Sequence, residues 1–463
     1  MLEEFKDIDT IVYRQLYNGL KKLSHAYLFN LNNNVYAEDM IMSFVKSIMC
    51  KYHTDKEEYN KFISKYSMAP ITQDYRWANV KKDWEHTLCA LYKDNSIVGV
   101  ALLLIKKFPL NLKMIYSPKG FLVDYTNKED LIEFTKGIKE YAKKIHAFVV
   151  KIDPLIAVSE EYYDTLIKKD TKVSPKNYTK NNELKIKNLK ECGYIHNGYK
   201  KEVGAYIQPR YNMAISLIDE NNKRLTEQEL LSNFKRNAKR YHGEFQTKRG
   251  VTFTCVHDDS CIDDFYRIIE STEKRQGISL RNKDYFKRIM NSFKDDAYMY
   301  FASVNVDKFM SFLESEIKKE KDENQINKYK EQLEDAKIAK EKYGNDIKIA
   351  ATLAIIPPNK EGIKKVEYLY AGTFEEVFPY LNTNASVHIN SFIDMLNKEY
   401  DYADLEGVEG TFDDHLTKTK AKYNPIVLEF VGEFDLSINK FWYFIFSKFS
   451  VQLKKIYRLV KGR

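Results

Sequence analysis

Long apolar runs are missing from this 463-residue chain. The longest, Phe441-Trp-Tyr-Phe-Ile-Phe446, is far short of the ~20 residues that span a bilayer. Met1-Leu-Glu-Glu-Phe5 is not a basic flank before an apolar stretch, so neither a membrane-spanning helix nor a secretory leader is expected. Cysteine is scarce: the five residues Cys50, Cys89, Cys192, Cys255 and Cys261 are odd in number and scattered, which predicts a reducing, cytoplasmic setting without a disulfide framework. A Gly-rich phosphate loop, a G-x-S-x-G elbow and an H-E-x-x-H pair are all absent, which sets aside nucleotide hydrolases, serine hydrolases and zinc proteases. Cys255, His257 and Cys261 place thiol, imidazole and thiol close together but lack a fourth ligand. Asp258-Asp-Ser260 beside them reads as a helix cap, and no metal is expected.

The chain is longer than the size at which one hydrophobic core stops growing, so two or more core units are expected. Residues 1–68 read as an N-terminal helical extension, with Ile11, Tyr13, Leu16, Tyr17 and Leu20, then Met40, Ile41, Phe44, Val45 and Ile48, at helical spacing. Gln73–Trp84 reads as one helix carrying Trp77, Val80 and Trp84 on one side. Strands follow at Thr87–Lys93, Ile97–Lys106 and Lys113–Tyr116, then an amphipathic helix to Lys144 and a strand Ala147–Ile152 ending at Asp153-Pro154. That order recurs as Tyr298–Val304, Ile347–Ile356, Val366–Tyr370, a helix Ser386–Lys398 and Tyr402–Leu405. The order resembles that of the GNAT acyltransferase fold. Two copies predict an α/β (α+β) chain of two GNAT-like domains, one over 69–205 and one over 206–304 with 347–440.

Between the first two strands of the second copy lie two apolar stripes, Phe309, Phe312, Leu313, Ile317 and then Ile326, Tyr329, Leu333, Ala336, Lys340, Tyr343. The polar Lys321–Gln325 separates them. This predicts an antiparallel helical-hairpin (coiled-coil) arm over 305–346 that projects, having no second apolar face for a globular core. The arm carries nine lysines against eleven acids, so attraction for a nucleic-acid phosphate backbone falls instead on the lysine-rich connector 160–205 and on Arg236, Lys239 and Arg240, set on a helix over Leu230–Tyr241. A partner-docking or homodimer role is left for the arm. Residues 441–463 read as a basic, aromatic C-terminal helix; from Lys440 onward the chain has seven basic residues and no acid. That suits peripheral contact with an anionic membrane, or an amphipathic helix packed on the second domain. Lys418 and Lys420 alternate, and would share a side on an extended segment.

A resemblance joins these fragments. Gln73…Trp77…Lys81, Met114-Ile-Tyr-Ser-Pro-Lys-Gly120, Lys151-Ile-Asp-Pro154, Gln208-Pro-Arg210, Arg275-Gln-Gly-Ile278…Arg281…Tyr285-Phe286, Glu367-Tyr-Leu-Tyr-Ala-Gly-Thr373 and Phe430-Val-Gly-Glu-Phe-Asp435 resemble, in order, the landmarks of the Fem family of peptidoglycan aminoacyltransferases. The resemblance implies transfer of an amino acid from aminoacyl-tRNA to the stem-peptide amine of lipid II or of the UDP-MurNAc-pentapeptide, building the interpeptide bridge of the cell wall. It implies no cofactor and a cytoplasmic protein, peripheral at the inner face of the plasma membrane. The coenzyme A loop usual in GNAT enzymes, Gln/Arg-x-x-Gly-x-Gly/Ala, is absent.

Carried over residue by residue, the resemblance places Lys81 near the precursor's diphosphate with Arg275 or Arg281 as partner, and Gln73, Tyr116 and Tyr370 among the substrate-binding positions. Lys418 falls where the family has Lys-Phe-Lys near the reacting centre. Here the segment reads Lys-Thr-Lys, followed by Lys422 in place of a usual glycine, which keeps Lys420 beside Lys418 as a catalytic candidate. Asp153 matches the family's Asp-Pro, as a catalytic or a strand-end position. Two alternatives stand: a tRNA-dependent aminoacyltransferase acting on a lipid or a protein N-terminus, and a non-catalytic tRNA-binding protein.

Overall fold

A computed structural model describes residues 48–52, 54–66, 68–168, 176–177, 179–358 and 361–448. Residues 1–47 of the expected N-terminal extension, 169–175 of the connector and 449–463 of the expected C-terminal helix lie outside the described residues. Where the extension is described, Ile48 opens a strand, Ile48–Tyr52, rather than closing a helical stripe.

The chain is mixed α/β with two sheets. The first runs in the order Ile48–Tyr52, Glu85–Lys93, Ser96–Lys107, Lys113–Ser117, Ala147–Ile152, Phe434–Ser437, Tyr194–His196, with Leu122–Val123 also paired to Ser96–Lys107. Its central hairpin turns at Asp94 and Asn95, both at positive φ (50° and 62°), the backbone a two-residue turn needs to match the twist of its strands. The second sheet runs Val251–Val256, Ala297–Asn305, Asp346–Ile355, Lys365–Thr373, Tyr402–Val408, Tyr211–Ser216, Ile426–Phe430, Ala157–Tyr162, Lys176–Asn177. Each sheet contains one parallel pair, Lys113–Ser117 with Ala147–Ile152 and Lys365–Thr373 with Tyr402–Val408. A helix makes each crossover. In Lys128–Lys144, capped by Asn127, the stripe Leu131, Phe134, Ile138, Ala142 is buried at a 3-4-4 spacing. Thr383–Asn397 buries Val387, Phe392 and Met395 on the second sheet.

The sheets do not respect the expected boundary near residue 205. Ala157–Tyr162, from the first half, pairs with Ile426–Phe430 in the second sheet, and Phe434–Ser437 returns to the first sheet between Ala147–Ile152 and Tyr194–His196. Two predicted helices also break. Gln73–Trp84 is a 3-10 turn Ile71–Gln73, then a short helix Trp77–Val80. Leu230–Tyr241 is split by extended backbone at Phe234 and Lys235 into Glu227–Asn233 and Arg236–Lys239.

Residues 306–343 form two successive helices, Val306–Lys319 capped by Asn305 and Glu323–Tyr343 capped by Asp322. Their base is not free of the body: Val306, Phe309, Leu313, Ala336 and Ala339 join the main core, with Phe309 against Phe378 (5.2 Å between centroids) and Tyr343 against Phe374 (5.3 Å). The apolar stripes thus continue from one helix onto the sheet domain at the base.

The strand exchange makes each half incomplete alone. Residues 1–205 expressed alone lack Phe434 and Leu436, both buried in the first core. They are expected to show no cooperative urea transition and no near-UV circular dichroism, whereas the full chain shows both.

Candidate active site

The two sheets meet where their parallel pairs end. Pairing of Lys365–Thr373 with Tyr402–Val408 stops at Glu367 opposite Asp404, after which the strands part. In the first sheet, the loop after Ser117 carries Lys119, and Asp153 follows directly on Ile152. Lys119 joins the two ends. Its backbone N–H donates to Asp153 Oδ1 (2.5 Å), and its ammonium lies 2.8 Å from Glu406 and 3.6 Å from Glu367. Lys365 pairs with Glu367 (2.8 Å) and lies 3.7 Å from Asp404.

Two ammoniums therefore face three carboxyls in a space largely closed to water. Burial works against the Lys119 ammonium, but Glu367, Glu406 and Asp404 together hold it well above an ordinary lysine. Burial also opposes a charge on Glu367, yet Lys119 and Lys365 hold that carboxyl down at about 2. Glu406 goes the other way, to about 8: burial raises it, and repulsion from Asp404 and Glu367 offsets much of what Lys119 supplies. Glu406 also sits at φ +64°, a left-handed position that costs a non-glycine residue about 1–3 kcal/mol and is held only by its surroundings.

Lys420 completes this centre. The helix His415–Lys420, capped by Asp414, delivers its ammonium to the carbonyls of Gly407 (2.9 Å) and Glu406 (3.4 Å). Burial lowers it to about 8, against the pull of Glu406, Asp404 and Asp414. Lys418 is elsewhere. Positions two apart on a helix point to nearly opposite sides, so the expectation of a shared side fails once the segment is helical, and Lys418 is exposed. Asp153 has both oxygens engaged, Oδ2 by the Tyr116 hydroxyl (2.6 Å) and Oδ1 by Lys119. Burial lifts it to about 7, against those two hydrogen bonds. Gln73 has no exposed surface: its amide serves Ser117 Oγ, the Pro118 carbonyl and the Leu102 N–H, which makes it structural.

A second group is cationic and unpaired. Lys81 lies 5.5 Å from the Tyr285 ring, Arg281 5.2 Å and Arg288 5.7 Å, and none of the three has an ion-pair partner among the described residues. Burial and then Arg281 depress Lys81 to about 8, with Asp83 opposing. Tyr370 packs on Tyr285 and Phe286 (6.2 and 5.0 Å). Arg288 also lines an open cavity of about 850 Å³ whose wall carries Arg76, Lys82 and Lys287 together with Asp284, Asp295 and Asp296. Arg275 is not part of this group; it pairs with Glu375 (2.7 Å).

The two groups are linked by direct contacts. Trp84 N–H donates to the Lys81 carbonyl, the Trp84 ring lies 6.4 Å from Tyr116, and Tyr116 reaches Asp153 and so Lys119. On the other side, Glu367 and Tyr370 are three residues apart on one strand, ~10 Å at strand rise. The extra residue Leu369 shifts the register there, resetting the in–out alternation. Arg236, Lys239 and Arg240 are exposed, on a helix whose cap Lys235 donates its N–H to the Lys422 carbonyl (2.9 Å) just after Lys420; Lys239 donates to the Ser232 carbonyl (3.2 Å) and Arg240 sits over Phe245 (5.2 Å).

Lys119, Glu367, Glu406 and Arg288 were not singled out from the sequence. A charged pair, Lys365 and Glu367, inside an otherwise apolar strand was the available signal. Arg288 stands one helical turn after Tyr285.

Lys119→Met leaves buried carboxylates without their shared cation and is expected to lower unfolding free energy by roughly 3–5 kcal/mol in urea titrations. Lys418→Ala is expected to stay within about 0.5 kcal/mol of the parent.

Comparison with known proteins places this geometry. Lipid II:glycine glycyltransferase of Staphylococcus aureus is 28% identical over 445 residues, 88% of this chain and 97% of that protein. The fold is that of the solved structure described as FemX, with a TM-score of 0.67 at 24% identity over 86% of this chain and 99% of that one. A model of the FemAB family matches residues 54–337 and 315–450. Since these matches take in most of the polypeptide, including both charged groups, the chain belongs to the FemAB family.

Proposed function

We propose that the chain transfers an amino acid from aminoacyl-tRNA to the stem-peptide amine of lipid II, extending an interpeptide bridge of peptidoglycan. It is an aminoacyltransferase. The observation that carries the acceptor is the group Lys81, Arg281 and Arg288 around Tyr285, three cations with no ion-pair partner among the described residues. A diphosphate supplies the missing charge, and the arginine forks give it directional hydrogen bonds. The Staphylococcus aureus relative is named for lipid II, which favours the lipid-linked acceptor over the nucleotide-linked one.

The donor ester is already activated, so no cofactor is needed. The acceptor nitrogen forms the amide bond, the ester C–O bond breaks, and the amine's proton ends on the departing ribose hydroxyl. Negative charge builds on the carbonyl oxygen in between. Lys420, held inward and largely protonated at neutral pH, stabilises it. Asp153 and Lys119 are positioning residues: they hold Tyr116 and Glu406 and, through the Glu406 carbonyl, Lys420. Arg236, Lys239 and Arg240 form the exposed basic surface for tRNA phosphates. We take the two sheets as two GNAT-like units and the helices over 306–343 as an arm outside the tRNA site.

Lys420→Ala is expected to lower kcat by about 10²–10³-fold, the usual loss of one oxyanion donor, while Lys418→Ala stays near parental. The assay is mass analysis of lipid II incubated with a set of charged tRNAs, and no product from any of them would exclude the reaction. Calorimetric affinity for a diphosphate-linked stem peptide is expected to fall as pH rises through about 8, because Lys81 there loses the charge that attracts phosphate. In Lys81→Arg, whose guanidinium stays charged, that fall should disappear.

A further inference from the structure

Beside the cation group lies an apolar surface that transfer itself does not use. The loop 108–112 is closed by the Phe108 N–H to Leu112 carbonyl bond (2.8 Å) and carries Leu110 at φ +62° and 76% exposed. A helix over 440–448 packs on it. Asn439 accepts from the Trp442 N–H (3.2 Å), the Tyr443 hydroxyl reaches Asp435 (3.1 Å), and Phe446 meets Phe108 and Phe148 (5.9 and 5.1 Å). The opposite stripe of that helix, Phe441, Phe444 and Lys448, faces solvent, the two phenylalanines at 64% and 57% exposure. Bulky apolar groups exposed on both sides of one packed contact are unusual on a protein that meets only water.

The rim is basic. Lys106 lies over Trp84 (5.4 Å), Lys107 and Lys113 share Glu85, and Lys440 and Lys448 are on the helix. Trp84 also packs against this cluster, and its backbone is bonded to Lys81. The apolar face therefore begins one turn away from the diphosphate grip.

We propose that the loop 108–112 and the outer stripe of the helix 440–448 dock on an anionic lipid bilayer, with Leu110, Phe441 and Phe444 entering the headgroup region and the lysines meeting lipid phosphates. A diphosphate attached to a membrane-embedded chain stays at the headgroup plane, so its binding group has to lie beside whatever touches the membrane. That second consequence rests on the function proposed above; docking on lipid does not.

The test uses the full chain and vesicles free of any diphosphate lipid, so its result is separate from the transfer reaction. The parent is expected to co-sediment with vesicles of equal parts phosphatidylcholine and phosphatidylglycerol, and not with phosphatidylcholine alone. The triple variant Leu110→Glu, Phe441→Glu, Phe444→Glu is expected to lose at least about tenfold in vesicle affinity. Its transfer to a water-soluble diphosphate-linked stem peptide should remain parental. Lys440→Glu with Lys448→Glu, a charge reversal outside the packed core, should weaken binding as well and keeps the test readable if the triple variant misfolds. A parent that ignores anionic vesicles overturns the proposal. So do variants that bind as the parent does, which would leave residues 449–463 or a protein partner as the reason for the face.

Discussion

One lysine holds this molecule's two sheets in register. Lys119 reaches back through its N–H to Asp153 at the end of the first sheet's parallel pair, and forward through its ammonium to Glu406 and Glu367 where the second sheet's pair opens. A buried ion pair by itself is weak evidence of stability, because desolvation offsets most of the Coulomb gain. Its value here is positional. The same residue that joins the sheets sets the strained Glu406 backbone whose carbonyl, with that of Gly407, receives Lys420.

Strand exchange reinforces that junction. With Ala157–Tyr162 in the second sheet and Phe434–Ser437 in the first, moving one sheet against the other would break ladder hydrogen bonds on both sides. The junction between them is thus fixed by the fold. Lys81, Arg281 and Arg288 have no ion-pair partner among the described residues, and the repulsion of Arg281 on Lys81 is a standing cost that the fold bears. The buried centre around Lys119 shows the opposite arrangement: its ammoniums and carboxyls are paired with one another.

Much of the fold was legible in the residues. The stripe Leu131, Phe134, Ile138, Ala142 and the alternating apolar segments on either side of Asp94-Asn95 announce their elements, because burial of one face imposes a period on the sequence. The recurrence of strand, strand, strand, helix and strand was readable for the same reason. Gln73–Trp84 misled, since Trp77, Val80 and Trp84 have helical spacing while Pro70 and the buried Gln73 amide impose turns. Lys418 and Lys420 misled in the reverse direction: their alternation suits a strand, but the Asp414 cap begins a helix.

Sequence alone determined the kinds of element and the repeat, because periodicity and residue type are local properties, and the family resemblance added the candidacy of Lys81, Arg281 and Lys420. Only the tertiary structure decided that Arg281 and not Arg275 stands with Lys81, that Lys420 and not Lys418 reaches the Glu406 and Gly407 carbonyls, and that Lys119 meets Glu406. Those outcomes depend on contacts between residues as far apart as Lys119 and Glu406, on strands that change sheets. Desolvation and mutual charge then set which proton each group keeps, and neither exists until the chain has closed around them.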